Sequence, residues 1–186
     1  MRLDQGDTFE RMASEARLTQ TPEGLVPEGG GWFVVNIAEA RGRRHERFGQ
    51  AVPFEGEQAP FPTFGINVRL LQPRQPNCYY HRESNPEAFL VLEGECIAIV
   101  EERERPMRKG DFLYAPPGTA HVIVGAGEGP CAVLMVGTRD EAEELEYPVS
   151  EVAARHGASV QEATDDAGVA YAGLDPPQPA RFPQPW

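Results

Sequence analysis

Residues 75–94 read QPNCYYHRESNPEAFLVLEG, and residues 110–125 read GDFLYAPPGTAHVIVG. In the first stretch CYYHRE has the aromatic content of a strand, and side-chain alternation along it puts Tyr79, His81 and Glu83 on one face. A tight turn at Ser84-Asn85-Pro86 returns the chain, so Glu87 opens the next strand beside Glu83. In the second stretch a strand reaches Ala115, Pro116-Pro117-Gly118-Thr119 forms a rigid turn, and His121 begins another strand. Two imidazoles and two carboxylates, from His81, Glu83, Glu87 and His121, are thereby candidate ligands for one ion. Nitrogen and oxygen donors in that ratio suit a divalent Mn, Fe, Ni, Co or Zn, and no thiolate site is indicated. Tyr79 shares the ligand face, where it either lines the pocket and orients a substrate or simply packs. Glu83 has four readings: a metal ligand, an acceptor fixing a histidine tautomer, a general base, or a solvated carboxylate turned outward at the strand end.

Outward from these two stretches the texture is uniform. FGINVRLL, beginning at Phe64, alternates so that Ile66, Val68 and Leu70 share a face. CYYHRE, AFLVLEGECIAIV, DFLYA, AHVIVG and CAVLMVG follow, separated by Pro, Gly, Asn and charged turns. Short strands at even spacing predict an all-β barrel or sandwich over residues 64–137 rather than βαβ units. Several runs are apolar on both faces, so the outer wall must be covered, either by another subunit or by the ends of the chain. A homodimer is the expectation. Cys96 and Cys131 lie in apolar runs and read as small core residues.

The flanks read less regularly. Residues 1–63 form an N-terminal extension: Asp7 and Glu10 resemble a capping box for a short helix, TPEGLVPEGGG reads as a loop, and WFVVNIA at 32–38 reads as a strand. The charged, Pro/Gly-punctuated segment 41–63 is a connector, with Arg41, Arg43, Arg44 and Arg47 as a solvated cluster. Residues 138–186 are a C-terminal extension. Thr138 and Glu141 form a T-x-x-E capping box that predicts a helix, which Pro148 ends. Ser150 caps a second helix that closes near His156, with Gly157 as its terminating residue. The proline-rich tail should run extended, with Phe182 and Trp186 as anchors.

Composition bounds the function. The chain has 186 residues, 17 basic against 29 acidic, for a net charge of −12. A surface of that sign repels phosphate backbones and anionic lipid, so neither nucleic acid nor membrane is an expected partner. No apolar run approaches a membrane span, and the acidic N-terminus is not a secretory signal. Three cysteines with no CxxC pair read as reduced thiols in a cytoplasmic protein.

The two quoted stretches together resemble the paired motifs of the cupin superfamily. The first gives Gln75-x5-His81-x-Glu83-x3-Glu87-x6-Gly94, and the second Gly110-x5-Pro116-x-Gly118-x2-His121-x3-Gly125. Fifteen residues separate them. The resemblance implies an RmlC-like double-stranded β-helix, or jelly-roll barrel, of the small bacterial single-domain kind. It carries metal ligation over to His81, Glu87 and His121. Glu83 stands where the family pattern has a second histidine, so it carries over by position alone; Gln75 replaces a glycine and Gly125 an asparagine. The resemblance implies two classes of function. One is a metal-dependent small-molecule enzyme, a dioxygenase or isomerase type among them, with Glu83 and Tyr79 as catalytic candidates. The other is a non-catalytic ligand-binding or structural module.

Overall fold

The computed structural model describes residues 14–183 apart from 58, 141 and 143. The elements in chain order are β1 Arg17–Thr21, β2 Gly24–Glu28, β3 Arg41–His45, β4 Gly49–Val52, β5 Phe64–Leu71, β6 Arg82–Glu83 and β7 Glu87–Glu93. They continue with β8 Glu95–Val100, β9 Arg103–Arg108, β10 Phe112–Ala115, β11 His121–Ala126, β12 Cys131–Thr138, β13 Leu145–Glu146, α1 Glu151–Ala154, α2 Ala167–Ala170 and β14 Gln178–Arg181. A seven-stranded sheet in the order β10-β7-β12-β5-β4-β3-β14 faces a three-stranded sheet, β11-β8-β9. Leu71, Phe89, Val91, Val133 and Met135 from the first sheet meet Cys96, Ala98, Met107 and Ile123 from the second. That shared cluster is the barrel interior, and it contains Cys131 as well as Cys96.

Alternation along β5 runs as predicted, with a consequence for the site. Val68 and Leu70 belong to a second cluster with Ala40, Val52, Ala132 and Phe182, outside the barrel. The intervening residues face inward, because Asn67 is directly opposite Met135, and Arg69 opposite Val133. The polar face of this strand is therefore the inner one.

The outer walls are covered by the chain's own ends. Val35, Ile37, Phe54 and Phe182 close one wall. Ala153 and Ala158 close the other, over Ile99, Val122 and Val124. The uncovered-wall argument for a partner subunit is thus met within one chain, although Phe112 and Tyr114 stay exposed on the edge strand β10.

Several flanking expectations are corrected. Residues 32–38 are not a strand: Trp32 bridges to Glu15, and Val34 is 77% exposed, so the apolar content anchors a loop onto the wall instead. The start of TPEGLVPEGGG closes the β1–β2 hairpin, and the segment read as a connector contributes β3 and β4. No helix starts at Thr138, which ends β12; residues beyond it pair as β13 with β6, and this tertiary ladder outweighs the local capping signal. Glu141, the Asp7–Glu10 pair and Trp186 lie outside the described residues. The Ser150 cap is present, with Oγ accepting from Ala153 N at 2.9 Å, and Gly157 has φ +66°. The tail runs extended as β14 against β3, and Phe182 is buried.

Phe182→Ala should lower the unfolding free energy by about 3 kcal/mol, the usual cost of emptying a buried phenylalanine site. Urea denaturation measures it, and a change below about 0.5 kcal/mol would show that the docked tail contributes nothing.

Candidate metal centre

The segment 75–81 is not a regular strand, but it runs beside β11 and hydrogen-bonds to it at intervals. Asn77 N donates to Ile123 O at 2.9 Å, and Gly125 N donates to Gln75 O at 2.9 Å. At the first residue of β11 sits a reciprocal pair: His121 N donates to His81 O at 2.8 Å, and His81 N donates to His121 O at 3.2 Å. The two imidazoles consequently lie side by side, with ring centroids 4.9 Å apart. The second turn is tied to the first motif as well, through Gly118 N donating to Glu83 O at 2.8 Å.

Glu87 enters from the opposite sheet. It opens β7, where it is paired with Ala115 on one side and Gly137 on the other. A Cβ at position 137 would lie 3.3 Å from Glu87 Cγ, so glycine there leaves the room the carboxylate occupies. Ligand atoms of His81, Glu87 and His121 all fall within 4.8 Å of one another. His121 Nε2 is 2.7 Å from Glu87 Oε2, and His81 Nε2 is 3.8 Å from the same oxygen.

The tautomers follow from the neighbours. His81 Nδ1 is 2.9 Å from Tyr79 O, and His121 Nδ1 is 2.9 Å from Thr119 O. A carbonyl only accepts, so each Nδ1 carries a proton, and in the neutral imidazole each Nε2 turns a lone pair inward. This is the outer support that ligating histidines need. Despite their short separation, His121 Nε2 and Glu87 Oε2 are both buried and form no hydrogen bond of acceptable geometry. Two acceptors left unsatisfied in a protein interior cost about 1–3 kcal/mol each, and a cation between them removes that cost. Burial works to raise the Glu87 carboxyl, but positive charge at the His121 imidazole, with Glu83 and His81 adding, holds it below the usual carboxylate range. The donor set therefore fits a divalent ion.

The other candidates are placed differently. Glu83 lies close enough to Glu87 to help lower its carboxyl, and it is not among the three residues whose ligand atoms converge. With Asn67 and Glu87 it lines a cavity of about 180 Å³. Its other side lines a broad cleft of about 1000 Å³ with Arg82, Gly118 and Thr164. Tyr79 turns its ring into an aromatic cluster, 5.1 Å from both Phe48 and Tyr171, because residues 76–80 lack the strand alternation expected of them. Its carbonyl, not its phenol, serves the site. The tyrosine ring that packs against His81 in its place is Tyr147, at 5.9 Å. Nothing in the sequence pattern marked Tyr147. Asn67 and Arg69 were legible only as the polar half of an alternating strand.

The substituted motif positions have local explanations. A Cβ at Gly125 would come within 2.2 Å of Gln72 O, so no asparagine fits there. Gln75 ties the preceding turn, with Oε1 accepting from Gln72 N at 3.0 Å and Nε2 donating to Glu46 O at 2.9 Å.

Residues 67–137 match the model of the cupin domain family. An uncharacterized protein of Methanocaldococcus jannaschii is 31% identical over 51 residues, which cover 27% of this chain and 41% of the relative. The chain thus spans less than half the length of that curated relative. Among solved structures, the polyketide cyclase RemF of Streptomyces resistomycificus superposes with a TM-score of 0.51 at 16% identity, over 59% of this chain and 80% of that one. A sugar phosphate isomerase from a cupin superfamily, from Silicibacter pomeroyi, gives a TM-score of 0.47 at 25% identity, over 59% and 66%. RemF shares the fold, and the likeness extends no further.

Gly137→Val should displace Glu87 and weaken metal affinity about tenfold or more while leaving the barrel folded. Equilibrium dialysis with an unchanged circular-dichroism spectrum checks this; wild-type affinity would contradict the assigned role of Gly137.

Proposed function

We propose that this cupin-domain protein is a metal-dependent enzyme of the dioxygenase or isomerase type, acting on a small oxygenated molecule. His81, Glu87 and His121 would hold one divalent ion, Mn, Fe, Ni, Co or Zn. The observation that carries the reading is the pair of buried, unsatisfied acceptors, His121 Nε2 and Glu87 Oε2, in a triad whose lone pairs converge. Two histidines and one carboxylate leave coordination positions for substrate, the arrangement used by non-haem iron oxygenases. The bound ion would supply Lewis acidity toward a carbonyl or enolate, and dioxygen activation if it is iron.

The chain's own residues supply the rest. Tyr79 O and Thr119 O keep the imidazoles oriented through their Nδ1 protons. Glu83 sits between the broad cleft and the small cavity beside Glu87, where its carboxylate would take a proton from a substrate carbon or hydroxyl. Glu83 is assigned here as base rather than as fourth ligand, because its carboxyl is not among the three groups whose ligand atoms converge. Tyr79 is assigned no contact with substrate, since its ring is occupied by Phe48 and Tyr171.

The same reading places the protein in the cytoplasm, in keeping with three free thiols, two of them in the core. No helix among the described residues is long and apolar enough to cross a membrane. A homodimer is part of the proposal. Its support is the edge strand β10, which leaves Phe112 64% and Tyr114 56% exposed.

A panel of small oxygenated acids and aromatic diols should contain a substrate turned over by the metal-supplemented protein. His121→Ala should reduce that turnover at least a hundredfold. Retained turnover in the metal-free variant would overturn the assignment, and no turnover across the panel by fully loaded protein would favour a non-catalytic module. Light scattering after size exclusion should give a dimer that Phe112→Glu converts to monomer; a monomeric wild type would remove the dimer.

A further inference from the structure

A second cavity, of about 350 Å³, opens beside the inner face of β5 and reaches the C-terminal segment. Arg69 lines it together with Arg43, His45, Cys78, Tyr171 and Asp175. We propose that this cavity binds a small organic molecule through a carboxylate or phosphate group, and that Arg69 is the residue that answers its charge.

The case begins with a cation that has no counter-charge. Arg69 projects inward from β5, on the face it shares with Val133. The residue as a whole keeps partial exposure, but its Nε reaches neither solvent nor a hydrogen-bond partner. One Nη1 proton goes to Phe48 O at 3.2 Å. Among the described residues no carboxylate forms an ion pair with it. Arginine cannot shed its proton to escape such a setting, so an enclosed guanidinium is tolerated only when something pairs with it.

The surroundings add to the imbalance. Burial is the largest influence on Arg69 and draws its pKa down; Cys78 and Tyr171 act against it, and the charge of Arg43 acts with it. The phenol of Tyr171, a further neighbour, is held neutral by burial. Asp175 is the one carboxylate lining the cavity; it is exposed and makes no ion pair with Arg69 or Arg43 among the described residues.

The remaining lining fits a ligand with an anionic head and an apolar body. His45 Nδ1 accepts from Arg47 N at 3.0 Å and Phe48 N at 3.3 Å, so its Nε2 carries the proton and is a donor. The amide of Asn77 is fixed at both ends, accepting from Ile123 N and donating to Met135 Sδ, which makes it a rigid wall. Phe48, Tyr171, Leu174 and Pro176 offer apolar surface for a carbon skeleton. The volume lies in the range of small-molecule pockets. The guanidinium offers a planar set of donors that matches either oxyanion. At the inner end of the cavity Cys78 Sγ is 3.5 Å from His81 Nδ1, and none of His81, Glu87 and His121 lines the cavity. The inference therefore stands whether or not an ion occupies the centre.

The test is a thermal-unfolding and calorimetric titration of the full chain with benzoate, phenyl phosphate, inorganic phosphate and neutral benzamide at constant ionic strength. Each titration is run with and without metal supplementation, and ion content is measured in parallel. At least one oxyanion should raise the wild-type Tm by several degrees when present well above its Kd, while benzamide and added chloride do not. The arms that respond distinguish carboxylate from phosphate. Arg69→Met should keep or raise the Tm in the absence of ligand, because it removes an unpaired charge, and should bind at least tenfold more weakly. If that variant fails to fold, Arg69→Lys keeps the charge without the planar donor set and should also lose at least tenfold in affinity. No response of the wild type to any oxyanion, or wild-type affinity in the folded Arg69 variant, would overturn the proposal. Because ion content is measured separately, loss of the metal reading alone leaves these outcomes unchanged.

Discussion

Two backbone hydrogen bonds, exchanged between His81 and His121, hold the site together. They join an irregular segment to the first residue of a strand and bring two imidazoles within 4.9 Å. The rest of the centre is arranged around that pair. The carbonyls of Tyr79 and Thr119, each two residues before its histidine, fix the tautomers, and β7 delivers Glu87 from the facing sheet. A jelly-roll barrel suits this arrangement because its two sheets are independent supports for a single interior point.

The interior carries its chemistry on an unexpected face. In most strands with one solvated side, the apolar residues point inward; in β5 Val68 and Leu70 point outward, where the arms of the chain cover them. Asn67 and Arg69 point in. Their enclosure near Glu87 and Tyr171 costs stability that a purely apolar lining would not, which is the usual mark of a wall built for a ligand. The glycines at 125 and 137 belong to the same economy of space. One lets Gln72 O pass within 2.2 Å of where a Cβ would stand, and the other leaves room for Glu87.

The barrel and the triad were legible from sequence because both depend on short-range regularities: strand alternation, turn residues and fixed motif spacing. His81, Glu87 and His121 obey them. Tyr79 did not, because alternation was extended through 76–80, where the chain bonds to β11 only at intervals. The helix at Thr138 failed for a different reason, since the partner of β13 lies some 60 residues earlier in β6 and no local signal records it. Trp32–Ala38 had strand composition because its apolar side chains are anchors, and composition does not distinguish an anchored loop from a strand. Arg69 and Tyr147 became visible only when packing showed what surrounds them.

The central claim is that the convergent His81, Glu87 and His121 hold a divalent ion. Elemental analysis of metal-supplemented protein, combined with anomalous diffraction at the absorption edge of the metal found, tests it directly. The predicted result is one ion per chain and one anomalous peak about 2.0–2.3 Å from both Nε2 atoms and a Glu87 oxygen. Folded protein that takes up no ion after supplementation, or a peak located elsewhere, would contradict it.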